Sequence, residues 1–393
     1  DAMDMLQLSL GRVRFPFKVR FVASGEDGVD MGGVQKEFFA QLMPQLLSPS
    51  QGLFTQTGGY VWPDASSPHE LSDFELVGVF LGIAFANNIT LSSAVAPLAP
   101  LLVSQLAYKL EDPMRWPIDV LMRRVNRTFP ELTHGLQQLL EWNEQDGSVE
   151  DVFCRTFDVT VPDPLGIWQA RRNAAELESI VEQSRQSLLP PFDHLPLPIL
   201  DSLNSTDGSV TFPLIPGGSD IEVTASNRAE YVQRYLQFIG FEHARAQTDA
   251  LRRGFIRAAD GVIYRMAHAW ELIEWLSPSD SDIDPYELER VASYDDEYSS
   301  SHIVIERFWD IVRTFDQVQL RQLLSFVTAS DRIPLGGYRN ITFVVQRNGP
   351  DTDRLPTALT CFGRLLLPAY KTQDKLRERL LTAIENASGF GLV

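Results

Sequence analysis

The sequence predicts an α+β protein built in two parts, and three observations carry that prediction. Up to about position 276, apolar residues recur mainly at helical spacing, as in Leu71, Phe74, Val77, Phe80, Leu81 and Phe85. The stretch Ser277-Pro-Ser-Asp-Ser-Asp-Ile-Asp284 is small, polar and acidic and lacks periodicity, as a linker does. Beyond it, helical patterns give way to strand and turn signals, which suits a small α+β domain of about 110 residues. A chain of 393 residues also exceeds what one compact core usually fills, and suits two or three domains.

Each element can be justified in order. Val13, Phe15, Phe17, Val19 and Phe21 alternate as a strand, Gly25-Glu-Asp-Gly28 is a turn, and Gly32-Gly33 leads into a helix through Val34, Phe38 and Leu42. The run from Leu71 to Phe85 is a buried helix, and Leu98 to Leu110, Ile118 to Val125 and Leu132 to Trp142 are further helices with proline at several joints. Val149 to Val161 reads as strand, with Cys154 a packing residue. Residues from about 165 to 208 join a polar amphipathic helix, Arg171 to Leu188, to the proline-rich Pro190-Pro-Phe-Asp-His-Leu-Pro-Leu-Pro198, and read as an inserted arm. Short strands lie around Pro216-Gly-Gly218, and Asn227 is expected to cap a helix through Tyr231, Tyr235 and Phe238. After the linker come helices through Ile305 to Phe315 and Leu320 to Val327. A strand at Thr342 to Val345, a turn at Asn348-Gly-Pro-Asp, one or two strands within Ala358 to Leu367 and a last helix through Leu376, Leu380 and Ile384 complete the chain.

Composition narrows the function. The net charge is −18, from 34 basic and 52 acidic residues, which disfavours nucleic acid, whose phosphates need clustered Lys and Arg. No run of eighteen apolar residues is present, so no membrane span is expected. The first residues lack the basic and apolar regions of a signal peptide and read as the start of a cut-out domain. Two cysteines in so long a chain argue against a disulfide framework and for a reducing compartment, cytoplasm or nucleus. The six histidines and two cysteines are scattered, without CxxC or HExxH spacing, so no metal or other cofactor is expected.

Elimination leaves one candidate nucleophile in a suggestive setting. In Arg354-Leu-Pro-Thr-Ala-Leu-Thr-Cys361-Phe-Gly, a thiol follows a proline-containing turn between threonines. Cys361 is either a nucleophile that an irregular connection exposes to a partner or a small core side chain, a common fate of free cysteine. A cysteine hydrolase would need His69, His134, His194, His243, His268 or His302 within reach of it.

Several motifs then occur together in order. Ile333-Pro-Leu-Gly-Gly-Tyr, the segment Asn348-Gly-Pro-Asp-Thr-Asp-Arg-Leu-Pro-Thr-Ala-Leu-Thr-Cys-Phe362, Leu367-Pro-Ala-Tyr and Gly389-Phe-Gly-Leu-Val resemble the HECT family of ubiquitin ligases. Val19-Arg-Phe-Val, Gly28-Val-Asp-Met-Gly-Gly-Val-Gln-Lys-Glu-Phe-Phe39, Pro216-Gly-Gly with Val223-Thr and Asn227, and Leu323 to Arg332 fit as well. The resemblance covers nearly the whole chain except about residues 165 to 208.

The resemblance implies a bilobal α+β domain: a large, mostly helical N-lobe over 1–276, a flexible hinge at 277–282 and a small α/β C-lobe over 283–393. It implies that ubiquitin passes from a ubiquitin-conjugating enzyme to Cys361 as a thioester and then to lysine amines of protein substrates. Thr360 matches the residue beside the family's cysteine, and Phe390 its C-terminal phenylalanine, which helps transfer to lysine. Leu132, Leu136, Trp142, Phe153 and Tyr231 match the apolar groove for the conjugating enzyme, with Asp151 at an acidic position beside it. Two positions depart from the pattern. Leu359 stands where the family usually has His, and Gly363 where it usually has Asn. These motivate an alternative: a catalytically weak or inactive scaffold that binds ubiquitin or a conjugating enzyme.

Overall fold

The computed structural model describes residues 33–87, 89, 91, 96–163, 204–206, 208–276, 282–334 and 337–386. The expected strand at Val13 to Val22, residues 28–32 of the Gly28 motif, most of the arm, His194, residues 277–281 of the linker and Phe390 lie outside them. The described chain is α+β and falls into two compact units. Helix α1 (Gly33–Leu46) is divided between them, with residues 33–44 in the second unit and 45–46 in the first.

The first unit holds residues 45–86 and 96–276 among those described. It begins with a two-stranded hairpin, β1 (Phe54–Thr57) and β2 (Tyr60–Pro63). Helices α2 (Leu71–Ala86), α3 (Pro100–Leu106), α4 (Ile118–Asn126), α5 (Pro130–Glu141) and α6 (Val149–Phe153) follow. Strands β3 (Asp158–Pro162), β4 (Asn204–Thr206) and β5 (Ser209–Pro213) form an antiparallel sheet in the order β3-β5-β4. The last stretch of the expected arm is therefore a strand paired with β5. Helices α7 (Arg228–Gln237), α8 (Arg245–Ala259), α9 (Val262–Met266) and α10 (Ala269–Leu276) complete the unit.

The core of this unit is the α2–α8 pair. Helix α2 is apolar all round and buried from Leu76 to Phe85, as a central helix must be. Small residues let α8 approach it: a Cβ on Gly254 would lie 1.8 Å from the Glu75 carbonyl oxygen, and one on Gly78 2.0 Å from that of Leu251. Glu75 also pairs with Arg253 at 3.4 Å and Arg257 at 2.5 Å, joining the helices at one end.

The second unit holds residues 33–44, 282–334 and 337–386, with Asn87, Ile89 and Leu91. Its helices are α11 (Pro285–Val291), α12 (Ile303–Val312), α13 (Gln317–Thr328) and α14 (Gln373–Glu385), and its strands β6 (Ser293–Asp295), β7 (Val344–Arg347), β8 (Thr357–Leu359) and β9 (Arg364–Leu367). The sheet order is β6-β7-β9-β8; β6, β7 and β9 run parallel and β8 antiparallel to β9. Caps punctuate the helices. Asp284 and Thr372 start α11 and α14, and Asp316 with Gln319 forms a capping box on α13. The core gathers Phe308 and Trp309 of α12, Leu320 and Leu324 of α13, Leu376 and Leu380 of α14, and Val345, Leu365 and Leu367 of the sheet.

Three expectations need correction. Val149–Phe153 is a helix, although its β-branched residues suggested a strand. The Ser148 hydroxyl accepts the Asp151 amide at 3.2 Å and donates to its carboxylate at 2.6 Å, and this local cap outweighs a weak strand preference. Cys154 does not pack: it is exposed, left-handed at φ 46°, and ends that helix. Asn227 stands at the start of α7 without capping it. Its amide oxygen accepts the Thr224 N–H at 2.7 Å and its nitrogen donates to the Glu222 carbonyl at 3.0 Å, so it ties the preceding loop.

Candidate functional site

The groove residues lie in the first unit. Trp142 follows the last residue of α5 and Phe153 ends α6, because the short connection through Gly147 folds α6 back. Both rings are half-buried, and they meet edge to face, with centroids 5.4 Å apart at 89°, a favoured aromatic geometry. The Trp142 indole N–H donates to the Gly147 carbonyl at 3.0 Å, which fixes the ring over the connection. Leu132 is half-buried on α5. Leu136 and Tyr231 are buried, at 6% and 3% exposure. Tyr231 of α7 packs edge-on against Phe157 at 5.4 Å and Tyr235 at 5.7 Å. Burial pushes its phenol above the usual tyrosine range, so it is a neutral packing group. Trp142 and Phe153 thus meet at a partly open surface, while Leu136 and Tyr231 belong to the interior that supports it. Asp151 is exposed at the α6 cap.

The Cys361 turn lies in the second unit. Strands β8 and β9 are joined by the single 3-10 turn Thr360–Phe362 and Gly363. Gly363 is left-handed at φ 58°, and a Cβ there would lie 2.1 Å from the Thr342 carbonyl oxygen. Only glycine fits that combination of backbone conformation and close approach. Its N–H donates to the Thr360 carbonyl at 3.3 Å, and its carbonyl accepts the Val344 N–H at 2.8 Å. The turn is therefore pinned by main chain to the start of β7. Thr360 is half-buried, whereas Leu359 and Phe362 are 45% and 49% exposed. Two large apolar side chains thus stand open on either side of the cysteine position. Thr360, Phe362 and Gly363 line a cleft of about 460 Å³ whose walls also include Thr328, Arg332 and Thr342.

Histidine is not part of this arrangement among the described residues of the second unit. His302 caps α12 through Nδ1, which accepts the Val304 N–H at 3.2 Å, and its ring packs on Tyr298 at 4.9 Å. In the first unit, His69 contacts the Gln51 carbonyl and His134 contacts Gln138. Sequence reasoning recognised the departure at Gly363 but missed what that glycine does, because the close approach to Thr342 is a tertiary fact. Arg228 was missed as well: its guanidinium bonds the carbonyls of Leu139 and Trp142, and only its place at the start of a helix was visible in the chain.

Comparison with known proteins identifies the family. The family model described as HECT-domain (ubiquitin-transferase) matches residues 40–393. The human "Probable E3 ubiquitin-protein ligase HECTD2" is 32% identical over 100% of this chain and 45% of its own length. The human "Probable E3 ubiquitin-protein ligase HERC4" is 30% identical over 100% of this chain and 32% of its own. "Probable E3 ubiquitin-protein ligase HUL4" of Eremothecium gossypii is 27% identical, covering 42% of its length. The chain thus spans less than half of each of these curated relatives. With a family model matching nine-tenths of its residues, and relatives aligned from end to end, this chain belongs to the HECT-domain (ubiquitin-transferase) family.

Proposed function

We propose that the chain is the catalytic part of a ubiquitin ligase with Cys361 as the acceptor. The Cys361 thiolate attacks the thioester carbonyl of a charged conjugating enzyme. The bond to that enzyme's sulfur breaks, and its thiolate leaves. A substrate lysine amine then attacks the new thioester, loses a proton, forms the isopeptide bond and releases the Cys361 thiolate. A thioester keeps the acyl group activated, so the chemistry needs no metal or nucleotide on this chain, and the protein's task is positioning. The single observation that carries this reading is the cysteine on a short turn held by main chain, flanked by the exposed Leu359 and Phe362.

The remaining assignments follow from the same reading. Trp142, Phe153 and Leu132, supported by Leu136 and Tyr231, receive the conjugating enzyme. Phe390 assists transfer to lysine, and residues 277–282 act as a hinge that lets one thiol serve donor and acceptor. A second reading, a scaffold with weak transfer, draws on Leu359, an aliphatic side chain that can neither donate nor accept a proton.

The test is a non-reducing gel after mixing the chain with ubiquitin, activating enzyme, ATP and a panel of conjugating enzymes. A band one ubiquitin heavier, lost with thiol reductant and absent in Cys361→Ala, is the expected result. No such band from a folded chain with any conjugating enzyme would leave the scaffold.

A further inference from the structure

Helix α5 ends without help from its own sequence. Its last turn carries no basic residue, and no Lys or Arg occurs anywhere from Thr128 to Cys154. The residue after it, Trp142, is extended at φ −57° and ψ 133°, so the final carbonyls have no continuing helix to bond. Arg228, the first residue of α7, supplies the missing donor. Its Nη1 donates to the Trp142 carbonyl at 2.8 Å and to the Leu139 carbonyl at 3.2 Å. A cation at the carbonyl end of a helix is favourable in itself, and a charged donor makes each bond stronger than a neutral one.

The position of this contact matters more than its strength. It grips the main chain of Trp142, whose ring meets Phe153 and whose indole N–H holds Gly147. One guanidinium therefore anchors the end of α5 to the helix that carries Tyr231. Arg228 itself is only half-buried, and its Nη1 is turned to two carbonyls.

We propose that Arg228 is a positioning residue for docking of the conjugating enzyme: it sets where Trp142 and Phe153 stand and does so through the Trp142 main chain. The proposal rests on the reading of Trp142 and Phe153 as that enzyme's groove. Removing the guanidinium leaves two carbonyls at a helix end without their charged donor and frees Trp142 to swing with the connection. The loss appears in affinity. A lysine at this position keeps a cation and several N–H donors on a flexible stem, and recovers part of the effect.

The test uses the full chain and a conjugating enzyme that loads it, with Arg228→Ala, Arg228→Gln, Arg228→Lys and Phe153→Ala compared with the parent. Dissociation constants are measured against the ubiquitin-charged enzyme as a stable oxyester, and KM and kcat for loading are measured separately. Circular dichroism reports folding. Arg228→Ala is expected to weaken binding about tenfold, with the loss in KM rather than kcat, and Arg228→Lys to recover at least half of it on a logarithmic scale. Should the alanine variant not fold, Arg228→Gln decides, with about a threefold rise in KM expected. A weakened Phe153→Ala beside folded Arg228 variants with parental KM would overturn the role of Arg228 and leave the groove standing. Parental binding by Phe153→Ala would remove the groove, and the inference with it. A loss confined to kcat would also overturn it.

Discussion

The two units differ in what they bury. Of the charged side chains that are buried among the described residues, Asp163, Glu242, Arg245, Asp249 and Arg252 lie in the first unit and only Arg332 in the second. The first unit also holds the half-buried His243, stacked on Phe238 at 5.4 Å and facing Phe212 at 5.8 Å. The interior of the second is aliphatic and aromatic. Charges without water are tolerated only when paired or neutralised. The first unit therefore depends on specific partners and on pH, whereas the second depends on shape. Main-chain contact through glycine serves both, between helices at Gly254 and between turn and strand at Gly363.

The largest effect expected from breaking this contrast is at Gly254. Its alanine variant must force α8 away from the Glu75 carbonyl, at a cost of more than about 3 kcal/mol. Hydrogen exchange should then speed up across 71–86 and 245–259, while amides of 344–347 and 364–367 keep their protection. Equal loss in both regions would show that the units do not differ as described.

Acid should act on the same side of the contrast. Burial holds the His243 imidazole down to about 4, against about 6.5 in an unfolded chain. The unfolded state then binds the proton first, so this contribution to stability is lost as pH falls from about 6.5 to 4, by about 3 kcal/mol. Burial pushes Asp249 up to about 7 despite Arg245, Arg253 and Arg252; being a raised carboxyl, it works in the opposite sense and stabilises as pH falls through the same range. The informative quantity is therefore the difference between His243→Gln and the parent, followed by denaturant titration from pH 7 to pH 4. It should move in favour of the variant by about 3 kcal/mol, and a flat difference would mean that His243 titrates normally.

Gly363→Ala strains a left-handed residue and a main-chain contact in the second unit, with an expected cost of about 2 kcal/mol. Exchange should rise at 344–347 and 364–367 and thioester loading should slow, with the first unit unchanged. Normal loading would show that the turn tolerates displacement. The smallest effect belongs to Trp142→Phe, which keeps the aromatic contact and removes the indole bond to Gly147, for about 1 kcal/mol. Thermal unfolding monitored in the first unit checks it.

Much of this arrangement was legible in the chain, for reasons that differ by region. The helical period marked α2, α4 and α13 because each buries a face or more of apolar residues that the sequence displays directly. The strands within Ala358 to Leu367 were legible only as one or two, because the turn at Thr360–Gly363 between them is too short to interrupt the pattern clearly. Val149–Phe153 was misread because five residues are too few to show a period, although Ser148 with Asp151 three residues later was a usable cap signal. The contacts of Gly254 with Glu75 and of Arg228 with Trp142 join residues far apart in sequence, 254 with 75 and 228 with 142, and no local pattern announces them.

The hairpin that carries Cys361 has a further consequence. Leu359 pairs with Arg364 and Ala358 with Leu365, so the thiol's place is defined by a fixed number of residues between two paired strands. Inserting or deleting one residue there would slip the register and send alternate side chains to the wrong face. Leu365 and Leu367 are fully buried, so the core would resist such a slip before chemistry was ever attempted. The hydrophobic interior thus acts as a length gauge for the Cys361 turn, rejecting a mis-measured loop at the stage of folding.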